Sequence, residues 1–209
     1  MKPRYDAATA VAHLRAADSD LADLMDACGP FDLRLHRTGD LFASLLRSII
    51  YQQLHGKAAA SIHGRVLALT GPRPTAEAID ELTDTQLRTA GLSAAKLAAL
   101  RDLSAKTAAR TVPSLAIARR MDDDELIARL TTVRGIGPWT VHMLLLFRLG
   151  RPDVMPTGDF AIRLAFARHF RQSETVTPAE LLAHADRWKP WRSVASWYLW
   201  RSLDPAGGG

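Results

Sequence analysis

One cysteine, Cys28, in 209 residues excludes an internal disulfide framework, a four-cysteine zinc site and an iron–sulfur cluster held by four thiolates. A reducing, intracellular compartment, cytoplasmic or nucleoid-associated, is the default expectation. No apolar run reaches the roughly 18 residues that a membrane helix needs, since Leu144 to Phe147 is soon broken by Arg148 and Arg151. The opening Met-Lys-Pro-Arg-Tyr-Asp lacks the apolar core of a secretory signal. Histidines 13, 36, 55, 63, 142, 169 and 184 show no HxxxH or comparable ligand spacing, which argues against metal catalysis. Neither a Ser-His-Asp arrangement nor a Gly-rich nucleotide loop is present. Alternating strand patterns are scarce as well.

What remains is an ordinary globular composition, 47 % hydrophobic and 23 % charged, long enough to bury a core without staples. Twenty-seven Lys and Arg against 22 Asp and Glu leave a net charge of +5, which favours polyanionic partners without identifying one. Apolar residues recur at three- and four-residue spacing through nearly the whole chain, so the expected fold is all-α. Helices are expected over about 6–17 and 19–28, the second closed by Gly29-Pro30. Asp40 caps an apolar helix from Leu41 to about Gln53 that buries Leu41, Leu45, Ile49 and Ile50, and another runs from about 56 to 69. Shorter helices follow over about 76–81, 84–90, 93–110 and 122–131, the last with Asp122 to Glu125 as a solvated acidic start. Further helices cover about 139–149, 159–170 and 178–187, where Thr177-Pro178-Ala179-Glu180 is a capping box with proline at the first helical position. Pro190 opens a final helix to about Ser202, and a short glycine tail at 207–209 is expected to be disordered.

The most informative segment is Leu130-Thr-Thr-Val-Arg-Gly-Ile-Gly-Pro-Trp-Thr-Val141. Two glycines one residue apart, between amphipathic helices, allow a tight turn and leave amide N–H groups unpaired at the next helix start, where a phosphate is attracted. Ile136 points back into the core, and Pro138 is tolerated because its missing N–H falls at a helix start. Twenty-two residues beyond Gly137, the loop Pro156-Thr-Gly-Asp-Phe-Ala-Ile-Arg163 delivers Asp159 to the beginning of a helix. A lone aspartate there reads first as a cap.

Hairpin, helix, proline-bearing loop and aspartate in this order resemble the helix-hairpin-helix DNA glycosylase superfamily, and within it the alkylation-repair branch, the DNA-3-methyladenine glycosylase II family. The resemblance spans about residues 40 to 203 through Ser48-Ile-Ile-Tyr-Gln-Gln-Leu-His-Gly-Lys-Ala-Ala59, Gly91-Leu-Ser with Lys96, the hairpin to Asp159, and Trp188-Lys-Pro-Trp-Arg-Ser193. It implies a single unit over 1–209 with two helical subdomains, about 40–130 and 1–39 plus 131–203, and an active-site cleft between them. The sheet-containing N-terminal domain of the better-known bacterial enzyme is expected to be absent, because fewer than 40 residues precede the shared core.

The same resemblance makes Asp159 catalytic, supplying negative charge to the oxocarbenium-like state that forms as an N-glycosidic bond breaks. A cationic alkylpurine such as 3-methyladenine or 7-methylguanine leaves without prior protonation, so one carboxylate suffices. Glycosylases that also cut the strand carry a lysine where this chain has Trp139, which implies a monofunctional enzyme that leaves an abasic site in base excision repair. The damaged base must leave the duplex first. Leu54 is assigned as the wedge that fills the gap, with Gln52 and Gln53 beside it in the minor groove. Trp139 and Trp200 are the candidates to face the cationic base, with Tyr51 weaker and Met143 standing where some relatives have tyrosine. Trp188 and Trp191 read as structural. Arg134, Gly135, Ile136, Gly137 and Thr140 form the phosphate-binding hairpin, and Lys57, Arg163 and Arg168 are further phosphate candidates. No cofactor is required on this reading, although a monovalent cation at the hairpin carbonyls is allowed. The expected partner is double-stranded DNA with alkylated bases, engaged by a monomer without a membrane or a nucleotide cofactor. Two alternatives stay open, a non-catalytic DNA-binding module and a glycosylase for oxidised or mismatched bases. Asp159 argues against the first, since a carboxylate near DNA repels phosphates. Trp139 in place of lysine argues against the oxidised-base branch.

Overall fold

The computed structural model describes Pro3 and residues 5–36, 39–171 and 175–203, so the glycine tail lies outside the described residues. The described residues contain helices and no strand. In chain order the helices are α1 (Ala7–Ala17), α2 (Ser19–Cys28), α3 (Leu41–Tyr51), α4 (Gly56–Thr70), α5 (Ala76–Asp80), α6 (Asp84–Thr89), α7 (Ala94–Ala108), α8 (Leu115–Ala118), α9 (Asp123–Leu130), α10 (Pro138–Leu144), α11 (Phe160–Phe166), α12 (Pro178–Ala185) and α13 (Arg192–Leu203). α10 and α11 widen into π-helical turns at Leu145–Leu149 and Ala167–Arg171.

Most starts are set by side-chain caps. Asp6, Asp18, Asp40, Ser93, Asp122 and Asp159 each accept from an amide of the first turn. Thr83 with Gln86 and Thr177 with Glu180 form reciprocal capping boxes. Two expectations need correction. The last helix begins at Arg192, and Pro190 lies in the turn before it, after a cis Lys189–Pro190 bond. α8 was not foreseen, since its four residues are too short to show a helical period, although Ser114 caps it.

The chain divides into two compact units, residues 1–36 with 142–209, and residues 37–141. In the terminal unit, Leu14, Leu21, Met25, Phe166, Leu181, Trp188 and Leu199 form one buried cluster. At its centre the Asp18 carboxylate accepts from the Trp188 indole N–H at 2.9 Å, from His184 Nε2 at 2.7 Å and from the Leu21 amide at 3.2 Å. A buried carboxylate with three donors is satisfied and ties α2, α12 and the turn before α13 together. In the inserted unit, α3 buries Leu41, Phe42, Leu45, Leu46, Ile49 and Ile50, and packs on α7, which buries Ala99, Leu100 and Leu103.

The hairpin belongs to the inserted unit, whereas the sequence expectation divided the chain near residue 131. The physical reason is local. Gln52 Nε2 donates to Gly135 O at 2.7 Å, and Asp102 on α7 accepts the Arg134 amide at 2.6 Å, so the turn is fastened to the helices before it.

Candidate active site

Asp159 caps α11. Its Oδ1 accepts the Ile162 amide at 2.9 Å and the Trp200 indole N–H at 3.2 Å, and the residue is only 8 % exposed. Two donors on one oxygen hold that oxygen of the carboxylate in place. The loop that carries Asp159 is itself held by α13. Ser193 Oγ donates to Arg151 O at 2.6 Å and accepts the Val154 amide at 3.0 Å, while Ser196 Oγ donates to Val154 O at 3.0 Å. The Arg192 guanidinium grips Asp153 from Nε and Nη2 at 2.6 and 2.9 Å. One helix therefore positions both the loop before the aspartate and the tryptophan that holds its side chain.

Trp200 is half-buried and its ring lies 5.5 Å from Phe147, which in turn stacks on His36 at 5.6 Å. Phe147 stands in the π-helical turn after α10, a widening of the kind often found at functional sites. Trp200, expected to face a base, is seen here as a donor to Asp159, which spacing in the sequence did not reveal. Phe160 was also missed. It follows Asp159 directly and is 71 % exposed, a whole apolar ring in solvent beside the carboxylate. Met143, on α10, is half-buried. Trp188 is fully buried, and Trp191 packs partly against the same cluster, 5.5 Å from Tyr5, so both are structural as expected.

In the inserted unit the loop after α3 presents the glutamines and Leu54. Gln53 takes a left-handed φ of 54°, a conformation that costs a non-glycine residue about 1–2 kcal/mol. Leu54 is 39 % exposed, so it is not a core leucine at a helix end. Lys96 Nζ reaches the last turn of α3 and donates to Ile50 O at 2.6 Å, placing a cation at the negative end of that helix. Burial draws its pKa below the ordinary lysine value. Gln52 stands between, its amide on the hairpin carbonyl. Tyr51 is half-buried, with the Arg47 guanidinium 4.0 Å over its ring and His63 at its edge.

Within the hairpin, Ile136 and Thr140 are buried and Arg134 is exposed. Gly135 has φ 78°, so glycine is favoured there by conformation, while a Cβ would meet Ala99 at 3.4 Å, an ordinary contact. Gly137 has no such constraint, and nothing within 4 Å would meet its Cβ. The Arg134 amide is already taken by Asp102 and the Ile136 amide by Val133 O. Trp139, the second residue of α10, is 49 % exposed and so is not core packing. Lys57 and Arg168 are exposed, but the Arg163 guanidinium is turned inward onto Val176 O at 3.3 Å. Among the described residues no cluster of His, Cys, Asp or Glu could hold a metal ion, and no helix is long and apolar enough to cross a membrane.

An all-helical chain in which a Gly-x-Gly hairpin is followed by an aspartate-capped helix has the architecture of a helix-hairpin-helix base-excision protein. The profile of the HhH-GPD superfamily base excision DNA repair proteins matches residues 46–192, and the chain belongs to this family. It is 35 % identical over 193 residues to the DNA-3-methyladenine glycosylase 1 of Schizosaccharomyces pombe, covering 91 % of this chain and 85 % of that one. The solved structure of the S. pombe 3-methyladenine DNA glycosylase Mag1 in complex with abasic DNA is similar with a TM-score of 0.80 at 34 % identity, covering 96 % of this chain and all of that one. A DNA-3-methyladenine glycosidase from Bacillus halodurans is similar with a TM-score of 0.86 at 31 % identity, covering 93 % of this chain and 89 % of that one.

Proposed function

We propose that this chain is a monofunctional DNA glycosylase that hydrolyses the N-glycosidic bond of alkylated purines in duplex DNA and leaves an abasic site. The observation that carries the reading is the Asp159 carboxylate, fixed at the start of α11 by the Ile162 amide and the Trp200 indole. Family membership and the named activities of the relatives support it.

As the bond between sugar and base lengthens, positive charge grows on the deoxyribose, and a carboxylate already oriented toward it stabilises that charge without reorganising. The base departs with the bonding electrons, and water adds to the sugar carbon and gives up its proton to solvent. A purine alkylated at N3 or N7 is cationic and leaves neutral, so no second acid is needed. Exposed rings such as Trp139 offer a cationic base a cation–π contact worth on the order of 0.5–2 kcal/mol, which a normal purine does not gain. Leu54 enters the gap left by the extruded nucleotide, and Gln53 presents it from a strained turn. Gly137, whose Cβ position is open, lets a phosphate come close to the hairpin backbone. On this reading the chemistry needs no cofactor, and the enzyme works as a monomer wherever the cell keeps its DNA.

Incubation of wild-type and Asp159→Asn protein with methylated DNA, with released bases resolved by chromatography, tests the proposal. Wild type is expected to release 3-methyladenine or 7-methylguanine, and the variant to be slower by at least about a hundredfold. A wild type silent on every alkylpurine defeats the substrate class, and equal release by the variant defeats the role of Asp159. Covalent trapping on damaged DNA under borohydride defeats the monofunctional assignment, since only a Schiff base is captured that way.

A further inference from the structure

The family resemblance allows a monovalent cation on the hairpin carbonyls, and the residues around this hairpin test whether one fits. Such an ion is held by several carbonyl oxygens that replace its water. Here three carbonyl oxygens of the turn already accept from the protein. Lys106 Nζ donates to Thr132 O, Gln52 Nε2 to Gly135 O at 2.7 Å, and the Ile136 amide to Val133 O at 3.0 Å. The first of these donors is itself a cation. Lys106 stands on the last turn of α7, half-buried, and pairs with Asp102 one turn earlier at 2.8 Å. The Asp102 oxygen that holds it also accepts the Arg134 amide at 2.6 Å. Lysine and aspartate thus take a carbonyl and an amide of the same turn. An alkali-metal ion on Thr132 O would lie against the ammonium, and like charges at such close range repel. At Thr132 O, where the ammonium already stands, the donor set does not fit a metal ion.

We propose that Lys106 is the resident cation of the hairpin: its ammonium fastens the turn from within, where a bound alkali-metal ion would act from solution, so that duplex binding is indifferent to which monovalent cation is present. The Lys106–Asp102 pair is neutral as a whole, so its part is to fix the shape of the turn, while attraction to phosphate is left to other amides of the turn and to exposed side chains such as Arg134.

The proposal rests on the duplex-binding reading above, and its test keeps the two apart. Wild type, Lys106→Met and Lys106→Arg are titrated with a duplex containing an abasic-site analogue in sodium, potassium or choline chloride at one ionic strength. Thermal unfolding of the free proteins is followed in the same three salts. Wild type is expected to show the same Kd within about twofold and the same Tm in all three. Lys106→Arg, which keeps a cation, is expected to do likewise. Lys106→Met is expected to bind about tenfold more weakly in choline and to recover part of that loss in potassium or sodium, as the metal takes the vacated oxygen. A wild-type Kd or Tm that falls in choline overturns the proposal, as does a Lys106→Met protein that binds as tightly as wild type. A loss in Lys106→Met that neither metal restores also overturns it, making the lysine a structural tie alone. Wild type that binds no duplex in any salt defeats the proposed function instead, and the Tm series on the free protein still decides the role of Lys106.

Discussion

The terminal unit and the inserted unit hold their candidate functional residues in opposite states. In the terminal unit Asp159 is almost covered, and the groups that fix it, from the Trp200 indole to the Ser193 and Ser196 hydroxyls, are half-buried or fully buried. In the inserted unit Leu54 and Trp139 stand in solvent, and the protein fastens the backbone beneath them instead, through Lys96 at the end of α3 and through Gln52, Asp102 and Lys106 at the hairpin. A carboxylate that must meet developing charge gains from being immobile before the reaction starts. A wedge or a stacking ring must reach its target, so only its supporting turn needs to be rigid. Mutations should therefore divide by unit, with stability and rate falling together in one, and affinity falling without loss of fold in the other.

The largest effect should come from removing the α13 clamp. In the double variant Ser193→Ala, Ser196→Ala, the Val154 amide and the Arg151 and Val154 carbonyls lose buried partners, a loss of about 2–5 kcal/mol in denaturant unfolding. Base release should fall with it, because the loop that presents Asp159 is no longer fixed. Unchanged stability would mean that the loop is held by something other than α13.

A smaller and more selective pair sharpens the division. Trp200→Phe keeps the ring and removes one donor to Asp159, so the single-turnover rate should drop about tenfold while affinity for an abasic duplex stays the same. Leu54→Ala should do the converse, weakening duplex affinity by about tenfold with an unchanged Tm, since the side chain is in solvent. If both variants lose affinity, or both lose rate alone, the two units do not divide the work in this way.

These pairs also mark what could be read in advance. Asp159, the hairpin glycines and most helix starts were legible because caps and turns are written in adjacent residues: Thr177 and Glu180 announce their helix on any chain. Long-range ties were not. Trp200 is 41 residues from Asp159, Lys106 is 26 from Thr132, and Trp188 is 170 from Asp18. No local period encodes such a meeting, so Trp200 was seen only as a ring and Lys106 not at all. Exposure was illegible for the same reason. Leu54 and a core leucine have the same letter, and Phe160 sits in an apolar helix start where its ring would pass for packing.

The buried Asp18 centre should give the terminal unit a pH dependence of stability. Burial opposes the Asp18 charge, but donors from His184, Trp188 and the Leu21 amide outweigh it and hold the pKa below the ordinary aspartate value. Burial likewise draws His184 below the usual histidine value, against the opposing hydrogen bond to Asp18. Both groups bind protons more readily in the unfolded chain, so stability is full near neutrality and declines as pH falls, first below about 6.5 through His184 and then below about 4 through Asp18. His63, His142 and His169 shift the same way by burial, so the diagnostic is a difference. The Tm of His184→Gln should fall less between pH 7 and pH 5 than that of wild type, and identical slopes would remove the centre from the account.

The smallest effects should lie at the hairpin, where side chain and backbone can be separated. The Arg134 amide is held by Asp102 whatever residue carries it, so Arg134→Ala should leave the turn intact and remove one exposed charge. Binding should weaken about threefold on every sequence, and the slope of log K against log salt should shrink by about one, as expected when one phosphate fewer is neutralised. Gly137→Ala is the backbone counterpart. Nothing in the protein obstructs the added methyl, so its Tm should match that of wild type while its duplex affinity falls, because the methyl occupies the space through which a phosphate approaches. A Gly137→Ala protein that binds duplex as wild type does would detach the hairpin amides from phosphate, and would leave the exposed side chains of the inserted unit as its whole means of holding DNA.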